Sequence, residues 1–252
     1  MNDNWWAVAS LILSLSFTEL GWRLLASGRH FLYAHGWMAC LFVLQTGALC
    51  VQAYKTGGCP IMGGGEVLFF LSWTINLFYL LLGHVYRISV LGIFTAPAIA
   101  FLTFFSLLIG FFGTEPVNRY DFWVTAHVGT AMIAYGACGV LAVAGVAFCV
   151  QNRCLKRRTI PGTIRLLPPI RTLEAAMKRL LPIAFVLLLF GEWLGWHGNH
   201  TINVVKAALV IFLTLGYGIL LLLAYRRGLP GRVLAYCCVF LFIVSLSIFL
   251  VI

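Results

Sequence analysis

Residues 122–150 read FWVTAHVGTAMIAYGACGVLAVAGVAFCV, a run without a single Asp, Glu, Lys or Arg. A helix that crosses a bilayer needs about 20 mostly apolar residues, so this run predicts a membrane-spanning helix. The eight apolar runs of the chain lie near residues 5–22, 31–54, 66–84, 88–112, 122–150, 180–196, 202–225 and 233–252. The sequence therefore predicts an all-α fold, a bundle of eight transmembrane helices in one domain over residues 1–252.

The composition of the chain excludes a protein surrounded by water. Of the 252 residues, 62% are hydrophobic and only 10% are charged, whereas soluble domains carry about 25% charged residues. So few charges cannot hydrate the surface of a globular protein of this size. This excludes a soluble enzyme, a disordered tail and a nucleic-acid-binding domain, and we expect the lipid bilayer to surround most of the chain.

The basic residues indicate how the spans are oriented. All of the 17 Lys and Arg residues except Lys55, Arg119 and Lys206 follow an odd-numbered span. Because cytoplasmic loops carry the excess of Lys and Arg, we expect a multi-pass protein of the bacterial inner (cytoplasmic) membrane with both termini outside. The basic connection 151–179 is then a cytoplasmic loop, which either faces lipid headgroups or docks a cytoplasmic partner.

Motifs of soluble enzymes and of cysteine chemistry do not occur in the sequence. The eight cysteines form no Cys-x-x-Cys pair and lie mostly inside apolar runs, so we interpret them as small core residues. Without Cys-x-x-Cys-His, the chain is not itself a c-type cytochrome. There is no His-Glu-x-x-His, Gly-x-Ser-x-Gly or P-loop sequence, and the sequence favours a protein that is not an enzyme.

Three histidines are expected together at the outer face. His127 lies about one turn inside the fifth span, and His197 and His200 follow the sixth. The tryptophans that accompany them are Trp123, Trp193 and Trp196. Haem iron takes one or two imidazole ligands and the macrocycle needs flat apolar walls. The six residues are therefore candidates for haem binding, with His127 as the metal ligand.

Other interpretations of the same residues stay open. Tryptophans form belts at the interfaces of most membrane proteins, and a histidine in an outer loop is often merely hydrated. A proton path or an ion-transport site would also use such residues. A small-solute transporter has no sequence signal beyond the eight spans.

Four stretches carry a resemblance to a known family. They are a segment from Gly58 to Phe94, FWVTAHV at 122–128, Leu-Glu at 173–174 and RGLPGR at 227–232. In order and spacing, over roughly residues 30–240, they resemble the cytochrome c assembly family of CcsA- and HemX-like integral membrane proteins.

The resemblance implies a function and a role for one histidine. In the haem-exporting members, the histidine that matches His127 is one of two outer axial ligands of haem, and a tryptophan-rich outer segment covers the macrocycle. It implies a haem-handling protein that binds or delivers haem at the outer face. The implied partners are haem, a second cytochrome c assembly membrane subunit, or a cytoplasmic enzyme of haem synthesis.

The sequence departs from the exporters in the tryptophan-rich segment. The family's Trp-Asp-Pro-Lys-Glu core is missing, with Val204 in the place of its Asp, and Leu222 stands where exporters carry a membrane histidine. These departures favour an alternative for the mechanism. It is a HemX-like membrane regulator of haem biosynthesis, which controls the level of glutamyl-tRNA reductase through the basic cytoplasmic surface and exports no haem.

Overall fold

The computed structural model is helical throughout the part of the chain that it describes. The described residues are 5–26, 34–56, 63–86, 91–110, 122–156, 169–197 and 204–248. Its helices, in chain order, are α1 (Trp5–Ala26), α2 (Ala34–Thr56), α3 (Gly64–Tyr86), α4 (Gly92–Ile109), α5 (Phe122–Lys156), α6 (Ile170–His197), α7 (Val204–Arg226) and α8 (Gly231–Ile248). The predicted all-α class is confirmed, and each predicted span overlaps one described helix.

Six of the described helices, α1 to α5 and α7, are long and apolar enough to cross a membrane. The remaining two differ from the expected spans. In α8 the apolar stretch is shorter, over Gly231–Ser247. The first ten residues of α6 include four charged side chains, which lower its hydropathy: Arg171, Glu174, Lys178 and Arg179. The chain is a multi-pass membrane protein, and a count of eight spans depends on α6 and α8.

The basic connection is shorter than the sequence suggested. We expected a loop over residues 151–179, but α5 continues to Lys156 and α6 begins at Ile170. Residues 170–179, which precede the sixth predicted span, form one continuous helix with it in spite of Pro182. A helix predicted only from its apolar residues is too short, because the backbone hydrogen bonds of a helix do not depend on the side chains being apolar.

Helix α5 is the centre of the bundle and packs against α3, α4, α6 and α8. Glycines let two of these neighbours approach closely, as is common between membrane helices. A Cβ atom on Gly136 would lie 2.5 Å from the Cβ of Thr74 in α3. A Cβ on Gly145 would lie 2.9 Å from the carbonyl oxygen of Ala235 in α8. The backbone of α5 is therefore in direct contact with two other helices.

The interface of α2 with α3 is held by buried polar side chains. Gln52 donates to the Glu66 carboxylate at 2.7 Å, and the same carboxylate accepts from the backbone N–H of Gly63 at 3.2 Å. Further along the same interface, Gln45 donates to Ser72 at 3.0 Å and accepts from Asn76 at 3.2 Å. Since water cannot satisfy these groups within a bilayer, the pairing specifies how α2 and α3 face each other.

Candidate functional site

The first turns of α5 lie against the last turns of α6, and His127 lies at this contact. Its Nδ1 is 2.7 Å from the backbone carbonyl oxygen of Gly191. Since a carbonyl oxygen only accepts, Nδ1 carries the proton and donates it. The tautomer that results keeps its lone pair on Nε2, which is the usual state of an imidazole that binds a metal.

A glycine on α6, Gly195, makes room for this imidazole. Gly191 and Gly195 are four residues apart and therefore share one face of the helix. A Cβ on Gly195 would lie 2.8 Å from the Nδ1 of His127. A Cβ on Gly191 would lie 3.6 Å from the backbone nitrogen of Ala131, an ordinary contact distance. The ring of His127 thus occupies space that is free only because residue 195 has no side chain.

A second imidazole has a similar hydrogen bond. The Nδ1 of His197 is 2.9 Å from the carbonyl oxygen of Trp193, one turn earlier on α6. Its ring centre lies 5.7 Å from that of Trp123 at an interplanar angle of 29°, and 4.7 Å from that of Trp193 at 52°. The ring of His197 therefore links a tryptophan of α5 with a tryptophan of α6, and its Nε2 also keeps a lone pair.

The structure places four of the six candidate residues at the contact of α5 with α6, where His127 lies against Gly195 and the ring of His197 contacts two tryptophans. We refer to His127, His197, Trp123 and Trp193 as the imidazole–aromatic cluster. Trp196 is on the same end of α6 but is 83% exposed, and His200 lies outside the described residues. Phe190 adds a further stacked ring, 5.7 Å from Trp193 at 18°.

A carboxylate next to the cluster is a residue that the sequence analysis missed. Glu192 is half-buried on α6 and accepts a short hydrogen bond from the hydroxyl of Thr214 on α7. It is close enough to His127 and Tyr135 to interact with them electrostatically. An acidic residue inside an apolar run of a membrane protein is itself a signal of function, and that signal was available from the sequence.

The arrangement fits a haem better than a bare metal ion. A zinc site needs three or four protein ligands, and within the described residues no group of three or more His, Cys, Asp or Glu side chains could hold an ion. In a haem the porphyrin supplies four nitrogens, so the protein adds only one or two axial ligands. His127 and His197 each leave Nε2 available as an axial ligand, and His197 lies against two indole rings.

Comparison with known proteins points to a specific family. The sequence pattern of the Cytochrome C assembly protein family matches residues 64–252, a range that contains every residue of the cluster. The chain is similar to Protein HemX of Brevibacillus brevis, with 29% identity over 168 residues, which are 64% of this chain and 60% of that protein. It is also similar to Protein NrfI of Wolinella succinogenes, with 29% identity over 191 residues, which are 73% of this chain and 20% of that protein. The chain thus spans less than two thirds of either relative.

Proposed function

The chain belongs to the Cytochrome C assembly protein family, and on this basis we propose that it binds haem at the imidazole–aromatic cluster and handles it for cytochrome c assembly. One observation carries the proposal. Both His127 and His197 donate Nδ1–H to a backbone carbonyl, so each presents Nε2 as a ligand. Hydrogen bonds of this kind fix the orientation of an imidazole before the metal arrives.

The other residues of the site have supporting roles in this proposal. Trp123 and Trp193 form apolar walls, and Trp196 adds an exposed ring at the same end of α6; His200, outside the described residues, stays a candidate from the sequence. Glu192 accepts a hydrogen bond from Thr214 and so ties the end of α6 to α7. When bound, haem would be the cargo, and His127 and His197 are the residues that would hold its iron.

A second candidate is the HemX-like regulator of haem biosynthesis. It is favoured by the extent of similarity, because the match covers 60% of HemX but only 20% of NrfI. As a regulator, the chain would act on a cytoplasmic enzyme of haem synthesis, and haem at the cluster would be a signal or would not be needed. If the chain instead handles haem for cytochrome c assembly, the expected partner is a second membrane subunit of that assembly.

The topology that we propose has eight spans in a single domain of a bacterial inner membrane, with both termini outside. Residues 180–197 of α6 and the 18 residues of α8 each cover about 27 Å at 1.5 Å per residue, close to the hydrocarbon thickness of about 30 Å. With this orientation the cluster lies at the outer face, and the basic ends of α5 and α7 lie in the cytoplasm.

The absorption spectrum of the protein, purified in detergent from haem-replete cells, tests haem binding. We expect a Soret band that is lost in His127→Ala, while the helical circular dichroism signal is unchanged. His35→Ala is a matched control, since its imidazole lies beside Tyr79 between α2 and α3. A protein with no Soret band, even after haem is added, would refute the haem-handling function and favour the regulatory one.

A further inference from the structure

A groove between α7 and α8 is lined by none of the residues of the imidazole–aromatic cluster. Its volume is about 350 Å³ and its lining is almost entirely apolar. The lining residues that matter here are Gly216, Ile219 and Leu223 on α7, and Tyr236, Cys237 and Phe240 on α8. The small residues Gly216 and Cys237 leave room between larger exposed neighbours such as Ile219 and Phe240. The groove therefore opens toward the surface that lipid covers.

An arginine follows the groove on each of the two helices. Arg226 is three residues beyond Leu223, and Arg232 is four residues before Tyr236, so each lies on the groove face of its helix. The guanidinium carbon of Arg232 is 5.6 Å from the centre of the Tyr236 ring. The connection between the helices is only residues 227–230, which brings the two arginines to the same end of the groove.

These two arginines have no carboxylate partner in the part of the chain that the structure describes. Glu174, whose carboxylate oxygen would lie 2.8 Å from a Cβ on Gly231, forms its ion pair with Lys178 instead. Arg226 and Arg232 are both exposed. The groove thus ends at two positive charges that are available to an external anion.

We propose that this groove binds an anionic phospholipid, with an acyl chain against the apolar lining and the phosphate between Arg226 and Arg232. Guanidinium groups hold phosphate through paired hydrogen bonds, and basic pockets between membrane helices are known to bind lipid headgroups. A free phosphate would not use the groove. A headgroup with choline or ethanolamine would place a positive charge beside the arginines, so a net negative headgroup is favoured.

The expected selectivity follows from the charge. A basic side chain near an anionic headgroup contributes about 1 kcal/mol, which is about a fivefold change in affinity. Two arginines therefore give a preference on the order of thirtyfold for phosphatidylglycerol over phosphatidylcholine.

Native mass spectrometry of the full chain, with each lipid added separately to the detergent-purified protein, tests the proposal. We expect one tightly retained phosphatidylglycerol and little phosphatidylcholine. In Arg226→Gln/Arg232→Gln the affinity for phosphatidylglycerol should fall on the order of thirtyfold. The matched control is Lys156→Gln/Arg171→Gln, which removes two charges from exposed positions on α5 and α6 and should retain the lipid.

A second pair of variants tests the apolar half of the site. Cys237→Phe fills the groove and should weaken retention while both arginines are intact. Ile243→Phe adds similar bulk at a 60% exposed position of α8 that does not line the groove, and should have no effect. The proposal would be overturned if phosphatidylglycerol and phosphatidylcholine were retained equally. It would also be overturned if the site variants and their controls lost the same amount of phosphatidylglycerol, because the lipid would then bind the surface without selectivity.

Discussion

The imidazole of His127 lies where a side chain of Gly195 would be, because a Cβ on Gly195 comes within 2.8 Å of Nδ1. The same nitrogen is hydrogen-bonded to the carbonyl oxygen of Gly191, one turn earlier on α6. A missing side chain and a backbone acceptor on one helix thus determine the position and the tautomer of a histidine on another. The packing of α6 against α5 thus positions His127, the proposed axial ligand of haem.

Gly195→Ala should abolish or strongly reduce haem retention. The new methyl group would displace the ring of His127 and break its bond to Gly191, although alanine favours the helix by about 1 kcal/mol. The Soret absorbance per mole of purified protein is the measurement. Gly191→Ala is the control, since its Cβ would lie 3.6 Å from the backbone nitrogen of Ala131, an ordinary contact distance. If both variants retain equal haem, the position of His127 is not what holds the ligand.

Thr214→Val should lower the thermal stability of the detergent-solubilised protein. Valine has nearly the same shape but cannot donate to Glu192, and leaving a part-buried acceptor without its donor costs about 1–3 kcal/mol. The melting temperature, followed by circular dichroism, is the measurement. Thr214→Ser keeps the hydroxyl and should recover most of the loss. A serine variant as unstable as the valine variant would show that methyl packing matters there and the hydrogen bond does not.

Gly136→Ala should destabilise the bundle at its centre. A Cβ at that position would meet Thr74 at 2.5 Å and the backbone of the same residue at 3.0 Å, so α3 and α5 would have to separate. Overpacking of this kind costs about 1–3 kcal/mol. Gly129→Ala, on the same helix with nothing within 4 Å, should instead be neutral or slightly stabilising. The difference in melting temperature between the two variants is the readout.

Cys154 should react with a membrane-impermeant maleimide in inside-out vesicles and not in intact spheroplasts. It is partly exposed near the end of α5, beside the basic residues that we expect in the cytoplasm. Because the chain contains other free thiols, the label lost in Cys154→Ser is the quantity to compare. Labelling of Cys154 in intact spheroplasts would reverse the proposed orientation.

Much of the fold could be predicted from the sequence, because the length and hydrophobicity of a run are local properties. The run at 122–150 and its seven counterparts each overlap a helix of the structure, and the family followed from four short stretches between residues 58 and 232. The limits of α6 could not be found in this way. Its first turns are charged and amphipathic, and the structure shows them joined to an apolar segment through Pro182.

The sequence by itself determined the helical class, the membrane environment and the histidine that merits attention, since each depends on composition or on residues close together in the chain. Only the tertiary structure decided that Gly195 leaves space for His127, that Thr214 donates to Glu192, and that His197 links two tryptophans. His127 and Gly191 are 64 residues apart. Their contact depends on how α5 and α6 are rotated and how closely they approach. That geometry is set by small residues across the interface, and hydrophobicity along the chain does not encode it.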